Sequence, residues 1–375
     1  MDTISTYKPI AHSQYGTPSE NMLILGENLR VLKNISDEFQ GKIQCIYLDP
    51  PYNSCNSFNM FMDCLPQDEW EKTMKERLEK LWPFLCESGS IWISIDDSEF
   101  ADLKVLCDKL WGRDHFILTI VRQKNKYPSS AERAIVHMHD YILVYAKDPM
   151  CVKLHDISLE DGSVVWNYPH KEWALENLLI RISALKQEQC VENYVYPVDG
   201  PSGDSIFPPK GRCWCVTQDE YKSLKDTGAI WFDANAGYPL IKRSIHQKKN
   251  VRPTSLWLES EIGSNQEARY EILKYDTGMF FYVPKPEKLL YRILSICTDP
   301  GDWVLDAYLG SGTTAAVAQK MSRRWIGIER EQEQFENICV PRLNDVIRGR
   351  DNTAVTKLTK WCGGGGFSCV VIDNK

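Results

Sequence analysis

Val304-Leu305-Asp306-Ala307-Tyr308-Leu309-Gly310-Ser311-Gly312-Thr313-Thr314-Ala315 reads as a strand, a tight turn and the start of a helix. Its spacing is G-x-G-x-x-A. Small residues there let a backbone come close to a ligand, and a helix N-terminus favours negative charge. No Lys follows at the position a P-loop requires, so the turn is not built for a nucleoside triphosphate. Residues 325–328 are strand-like and Glu329 ends them, where a carboxylate can accept hydrogen bonds from two ribose hydroxyls. A nicotinamide dinucleotide and S-adenosylmethionine both present an adenosine ribose to such a place. Asp306, just before the turn, repels a pyrophosphate and suits a sulfonium and an amino group. That favours S-adenosylmethionine.

Outward from the turn, the pattern alternates. Strand-like runs stand at 22–25, 43–48, 90–95, 116–121, 141–145 and 303–305. Helical spacing stands at 68–85 (Trp70, Met74, Leu78, Leu81, Leu85), 98–110, 287–296, 313–320 and 331–346. Ser98 is the expected N-cap of the second helix and Gly112 its stop, while Pro341 interrupts the last. Strands alternating with helices predict a mostly parallel sheet covered on both faces. From about 150 to 275 the rhythm is lost, and Pro, Gly, Trp and Tyr become frequent. The expectation is one α/β domain split in sequence, in halves 1–150 and 276–350. A separate module at 151–275 divides them, and 351–375 forms a glycine-rich tail ending in an edge strand at 367–372.

Asp49-Pro50-Pro51-Tyr52-Asn53 follows the strand-like run 43–48. Two prolines stiffen the turn. A carboxylate, a rigid carbonyl and an aromatic ring then meet at the carboxyl edge of the sheet, where open α/β sheets bind ligands. This set suits methyl transfer to an exocyclic amino group, whose lone pair is delocalised into its base. Asp49 and the Pro50 carbonyl each accept one N–H and aim the lone pair, and Tyr52 stacks on the extruded base.

The chain has 375 residues and a formal net charge of −7, which argues against a nucleic-acid coat but leaves room for a local basic face. Residues 234–258 carry no acid but hold Lys242, Arg243, Lys248, Lys249 and Arg252, the better candidate for touching phosphates. Arg122, Lys124 and Lys126 form a second candidate, in a polar loop after a strand. Of Trp166, Tyr168, Trp214, Trp231 and Trp257, most are expected to be small-domain core. The 13 cysteines are scattered without a C-x-x-C pair, which predicts reduced thiols and no zinc site; no metal role is given to His137 or His139. The start of the chain lacks the charge and apolar pattern of a signal peptide, and no run spans a bilayer. The expected location is cytoplasmic.

At these residues the chain resembles the amino-group DNA methyltransferases. Asp49-Pro50-Pro51-Tyr52 is similar to the family's catalytic motif, and Asp306–Thr313 to its cofactor motif. The catalytic motif comes first, an order similar to the circularly permuted β class. Further resemblance, to methylation subunits of type III restriction–modification systems, lies in Leu25-Gly26-Glu27-Asn28-Leu29, in 89–97, 139–145 and 209–214, in Asn265-Gln266-Glu267-Ala268, in Lys285-Pro286-Glu287-Lys288-Leu289-Leu290 and in the tail 363–367. The resemblance implies a Rossmann-like methyltransferase fold with a mostly parallel seven-stranded sheet and an inserted target-recognition region. It implies adenine N6 as the acceptor, since cytosine N4 enzymes more often begin the motif with Ser. It implies Asp49, Pro50, Pro51 and Tyr52 as catalytic residues. Asn28, Asp49, Lys285, Pro286, Asp306, Tyr308, Gly310, Gly312, Thr313 and Glu329 would hold S-adenosylmethionine; the family often has Phe where Tyr308 stands. The partners it raises are duplex DNA, a second copy of the chain and a restriction subunit. The chain's length, shorter than most type III methylation subunits, counts against the last.

Three rivals stand beside an N6-adenine enzyme. A cytosine N4-methyltransferase uses the same motifs. A nicotinamide-dependent oxidoreductase explains the glycine turn but leaves Asp49–Tyr52 idle. A catalytically silent DNA reader would have lost one of the two motifs, and both are intact.

Overall fold

Ile43–Leu48 is buried at all six positions, the signature of a strand covered on both faces. Cys45 and Tyr47 enter one apolar cluster, and Ile43, Ile46 and Leu48 enter the other. The same alternation splits Val304 from Leu305. The computed structural model describes residues 11–54, 64–126, 135–158, 173–177, 179–181, 191–200, 203–232, 238–244, 250–276 and 284–372. Trp166, Tyr168, Lys248 and Lys249 lie outside the described residues.

The chain divides into two compact units, 1–165 with 251–375 and Trp166–Asn250. The first is built on one ten-stranded sheet. In chain order its strands are β1 (Ala11–Gly16), β2 (Met22–Leu25), β3 (Ile43–Leu48), β4 (Leu85–Ile95) and β5 (Phe116–Gln123). There follow β6 (His139–Ala146), β7 (Leu256–Trp257), β8 (Trp303–Asp306), β9 (Arg324–Glu329) and β10 (Gly366–Val371). Across the sheet the order is β1-β10-β2-β9-β8-β3-β4-β6-β5-β7. All pairs from β10 to β4 are parallel. β6 runs antiparallel to both of its neighbours. The seven strands from β2 to β5 form the expected mostly parallel sheet, and β1, β10 and β7 extend it.

Helices cover both faces. On one lie α1 (Asn28–Phe39), α2 (Gln67–Leu81) and α3 (Phe100–Trp111). α1 places Val31, Leu32, Ile35 and Phe39 on the sheet at helical spacing, and the Glu27 side chain caps it by accepting from Arg30 N. On the other face lie α5 (Glu287–Cys297), α6 (Thr313–Lys320) and α7 (Val340–Ile347). The short helix α4 (Asn265–Ile272) precedes them, and α8 (Ala354–Thr359) follows.

Several expectations are corrected. The apolar tail is no edge strand: β10 lies between β1 and β2, with Tyr15 stacked on the fully buried Phe367 at 5.0 Å. α2 stops at Leu81 because Pro83 turns the chain into a 3₁₀ segment. Ser98 does not cap α3: its own N–H is taken by Asp96 Oδ1 at 2.9 Å, and the helix begins two residues later. The last helix is split as Pro341 predicts, by a π-helical stretch Phe335–Cys339. Proline lacks an N–H and crowds the carbonyl four residues back, and the wider turn accommodates both. Cys64 is disulfide-bonded, against the expectation of reduced thiols throughout; Cys45, Cys107, Cys297 and Cys339 are buried free thiols.

The second unit is narrower than the 151–275 module read from sequence, because β7 and α4 belong to the first unit. Its three-stranded antiparallel sheet pairs Pro239–Ser244 with Ile230–Phe232 and with Trp173–Asn177. The helix Gln218–Asp226 starts with a reciprocal cap between Thr217 and Glu220. Its core holds Tyr196, Trp214, Tyr221 and Ile241, with the Trp214 indole donating to the Tyr196 carbonyl at 2.7 Å. Trp257 is core of the first unit, fully buried under the Arg292 guanidinium. Among the described residues no helix is long and apolar enough to cross a membrane.

Candidate active site

β8 and β3 are neighbours, yet the chain leaves them toward opposite faces of the sheet, into α6 and α2. Such a reversal opens a crevice at the carboxyl ends of the strands. Asp306 ends β8 and Asp49 follows β3, so both acids stand at that crevice.

The glycine turn is built around Asp306. Its Oδ1 accepts the Tyr308 N–H at 2.9 Å and its Oδ2 accepts the Thr314 hydroxyl at 2.6 Å. Gly310 and Gly312 have φ of 57° and 81°, the left-handed region that glycine enters freely. Thr313 begins α6 within the turn. Glu329 ends β9 beside the turn and takes three backbone N–H groups, from Gly310 at 2.8 Å, Arg330 at 2.8 Å and Glu331 at 2.7 Å. A carboxylate offers about four lone-pair sites. One acceptor site remains, on the Gly310 side, open to a hydroxyl.

After β2, the Asn28 amide donates to the Ala307 carbonyl at 3.1 Å and accepts from Arg77 Nε at 2.6 Å. Arg77 also holds Glu27. The phenol of Tyr308 reaches Met74 Sδ at 3.7 Å, and burial pushes it up to about 12.

At the end of β3, Tyr52 donates to Asp49 Oδ1 at 3.0 Å, and burial followed by the Asp49 charge pushes the phenol well above its ordinary range. The Trp70 indole pins the turn by donating to the Pro51 carbonyl at 3.0 Å. Asn53 stands at φ 56°, and its amide clamps Leu65 and Glu99. Lys285, expected to contact a cofactor, places its ammonium 2.6 Å from both Asp49 oxygens. Pro286 follows as the N-cap residue of α5.

Acids dominate the crevice. Burial pushes the Asp306 carboxyl up to about 7, and the charges of Asp49 and Glu329 add to that rise against two donated hydrogen bonds. Burial likewise lifts Glu329 to about 7 against its three N–H partners. A ligand that brings positive charge to the turn relieves this repulsion, and a pyrophosphate would add to it.

The basic candidates fare differently. Arg122 is a correction: it is fully buried, with NH1 2.9 Å from Asp140 and NH2 2.8 Å from Asn265 on α4. No phosphate reaches it there. Lys124 is half-buried, and Lys126 and Arg252 are exposed. Lys242 lies over the Trp231 ring at 5.1 Å in the second unit. The side chain of Arg243 lies outside the described residues.

Residues not singled out from sequence complete the site. Trp70, Asn53 and Arg77 hold its loops, Thr314 holds Asp306, and Cys339 donates to the Gly310 carbonyl at 3.0 Å. Arg342 reaches the Ser311 carbonyl and Thr313. Asn53 carried a readable signal, since Asn tolerates a left-handed backbone after a rigid turn. Thr314 lies in the quoted turn itself, eight residues from Asp306, while Trp70, Arg77, Cys339 and Arg342 act across longer separations, which no local spacing reveals.

The family described as DNA methylase matches residues 43–339 of the chain. The chain is 30% identical over 94% of its length to the probable type III restriction-modification enzyme HindVI Mod subunit of Haemophilus influenzae, covering 54% of that protein. It is 26% identical over 81% of its length to the type III restriction-modification enzyme StyLTI Mod subunit of Salmonella typhimurium, covering 50% of it. The chain thus spans about half the length of these relatives. Among solved structures it is similar to the cytosine-N4-specific PvuII DNA methyltransferase, with a TM-score of 0.50 and 15% identity. That likeness covers 92% of this chain and 94% of the other, and it bears on the fold alone.

Proposed function

The chain belongs to the DNA methylase family, and on that premise we propose that it transfers a methyl group from S-adenosylmethionine to the N6 amino group of adenine in duplex DNA. The observation that carries this reading is the juxtaposition of Asp49 and Asp306 at the ends of two adjacent parallel strands. One acid serves the amine, the other the cationic cofactor.

The residues fit that cofactor. Asp306 and Glu329 form an acidic, glycine-lined cradle with an acceptor left for a ribose hydroxyl, and Asn28, Tyr308 and Thr313 line the same turn. S-adenosylmethionine supplies a methyl group on a good leaving atom. The chain supplies orientation. Asp49 and the Pro50 carbonyl accept the two N–H of the amine, and the Tyr52 ring stacks on the flipped base. With the cofactor held there, the amine nitrogen would bond to the methyl carbon as the carbon–sulfur bond breaks, leaving a neutral thioether, and the surplus proton of the methylated nitrogen would pass to solvent. Pinning by Trp70 and Asn53 means that little reorganisation is needed when charge develops.

Asp at the head of the motif favours adenine, with cytosine N4 as the second reading. We assign the second unit, 166–250, to target recognition. Lys242, Arg243, Lys248 and Lys249 are its candidate phosphate contacts, and Lys124, Lys126 and Arg252 are those of the first unit. The names of the type III relatives point to a restriction subunit as partner, and a second copy is the other partner class we assign. The reading places the chain in the cytoplasm, with its DNA.

The test is transfer of labelled methyl from S-adenosylmethionine to mixed-sequence duplex DNA, followed by nucleoside mass spectrometry, beside Asp49→Ala. N6-methyladenine that disappears in the variant supports the reading. N4-methylcytosine moves it to the second reading. A chain that fails to bind the cofactor in calorimetry refutes it.

A further inference from the structure

Lys285 stands where the reaction needs an empty seat. Its ammonium lies 2.6 Å from both oxygens of Asp49 and 5.1 Å from the centre of the Tyr52 ring. The proposed reaction uses the same carboxylate for the target amine and the same ring for the target base. Tyr52 already donates to Oδ1. Of the carboxylate's about four lone-pair sites these contacts leave one, on Oδ2, so the count at Asp49 alone does not bar the amine. The ammonium over the Tyr52 ring does, because it stands between that ring and a base carrying its amino group to Asp49.

We propose that Lys285 is a placeholder for the target's amino group, standing on Asp49 and beside Tyr52 until the cofactor draws it away, so that the base seat opens only in the cofactor-loaded chain. The inference rests on the methyl-transfer reading above. Lys285 is 8% exposed, so it is no surface lysine that happens to reach inward. Pro284 and Pro286 flank it and fix its backbone, which leaves the side chain as the moving part. The cofactor carries what moves it. Its carboxylate offers the ammonium another partner. Its sulfonium must lie within a methyl's length of the target nitrogen, and there it repels a cation held in the seat. An ammonium is also a safe occupant, because without a lone pair it cannot accept the methyl group.

The experiment takes the modified adenine, located by sequencing methylated DNA, and places 2-aminopurine beside it in a duplex. Fluorescence of this base rises when its neighbour flips out of the stack. Sinefungin, an unreactive analogue with an ammonium in place of the sulfonium, stands in for the cofactor. In the unaltered chain a several-fold rise is expected only with sinefungin. Lys285→Met and Lys285→Gln, each checked for a cooperative thermal transition, are expected to show the rise without it. Equal rises with and without sinefungin in the unaltered chain overturn the proposal, as does continued dependence in both variants. If the unaltered chain methylates no DNA, the activity reading fails and takes this one with it. Methylation together with cofactor-independent flipping sinks the placeholder alone.

Discussion

The Arg342 guanidinium lies 2.8 Å from the Glu287 carboxylate, with both side chains shut off from solvent. The same guanidinium donates to Thr313 Oγ1 at 2.9 Å and to the Ser311 carbonyl at 3.0 Å. Helix α7 thereby ties the glycine turn to the helix that follows Lys285. Lys320 holds the other Glu287 oxygen at 2.6 Å and also pairs with Asp351. Burial would raise Asp351, but Lys320 outweighs it and the carboxyl settles at about 2. Burial and the Glu287 charge push the Glu271 carboxyl upward. The direct pairs set Glu287 and Asp351 against Arg342 and Lys320.

Removing one member leaves a buried charge without its partner, a loss of about 3–5 kcal/mol. Arg342→Met is therefore expected to lower the unfolding free energy by that much, and to weaken cofactor binding at least tenfold as the turn loosens. Chemical unfolding and calorimetry measure the two effects. A variant as stable as the parent, with unchanged cofactor affinity, would show that the network does not hold the turn.

Asp306 and Glu329 stand at about 7 in the folded chain, above the ordinary carboxylate value of about 4. The folded chain holds their protons more tightly than the unfolded chain. The stability they contribute is therefore full below about pH 4 and is lost as pH rises through 7. Asp306→Asn keeps Oδ1 as acceptor for Tyr308 N, and the Thr314 hydroxyl can turn to accept from the new amide. This variant is expected to flatten the loss between pH 5 and 8 and to melt above the parent at pH 8. In the parent, cofactor affinity is expected to rise as pH passes 7, with proton release on binding. Parallel melting curves against pH for the two chains would remove the buried acid as the cause.

The parts of the site fixed by local chemistry were legible in the sequence. The prolines of 49–53 and the glycines of 310–312 impose their turns, and Ile43–Leu48, with Gln44 as its one polar amide, has the apolar-rich run of a strand buried on both faces. The parts that escaped depend on distant partners. β10 looked like an edge because nothing in Ala11–Gly16 announces the strand that covers it. Arg122 looked like a phosphate contact because Asp140 and Asn265, which neutralise and cover it, lie 18 and 143 residues away. Resemblance assigns Lys285 to the cofactor, but its grip on Asp49 crosses 236 residues and has no local signature.

Gly327 lies in β9 beneath the turn, and a methyl group added there would stand 2.6 Å from Leu309 Cδ2 and 2.9 Å from Cδ1. Leu309 must then shift, and it is joined directly to Gly310. Overpacking of this kind costs about 1–3 kcal/mol. Gly327→Ala is expected to lose that much stability and to bind the cofactor more weakly than the stability loss alone explains. Gly301→Ala meets nothing within 4 Å, though its φ of 86° strains a side chain, so it controls for a glycine lost far from Leu309. Unaltered binding in Gly327→Ala would detach Leu309 from the turn's geometry.

Arg122 and Lys126 lie four residues apart, and the structure separates their roles. Arg122 is at 0% exposure between Asp140 and Asn265, while Lys126 is exposed. Truncating one partner of a buried ion pair costs about 3–5 kcal/mol, whereas a surface substitution stays within about 0.5 kcal/mol. Each phosphate contact adds about one to the slope of log affinity against log salt. Arg122→Ala is therefore expected to lower stability sharply and to leave the salt slope for duplex DNA unchanged at temperatures where it is folded. Lys126→Ala, at an exposed position, is expected to reduce the slope by about one and to cost far less stability than Arg122→Ala. If the slope falls for Arg122→Ala instead, the guanidinium reaches DNA in a state other than the one described, and its burial between Asp140 and Asn265 is not the binding-competent arrangement.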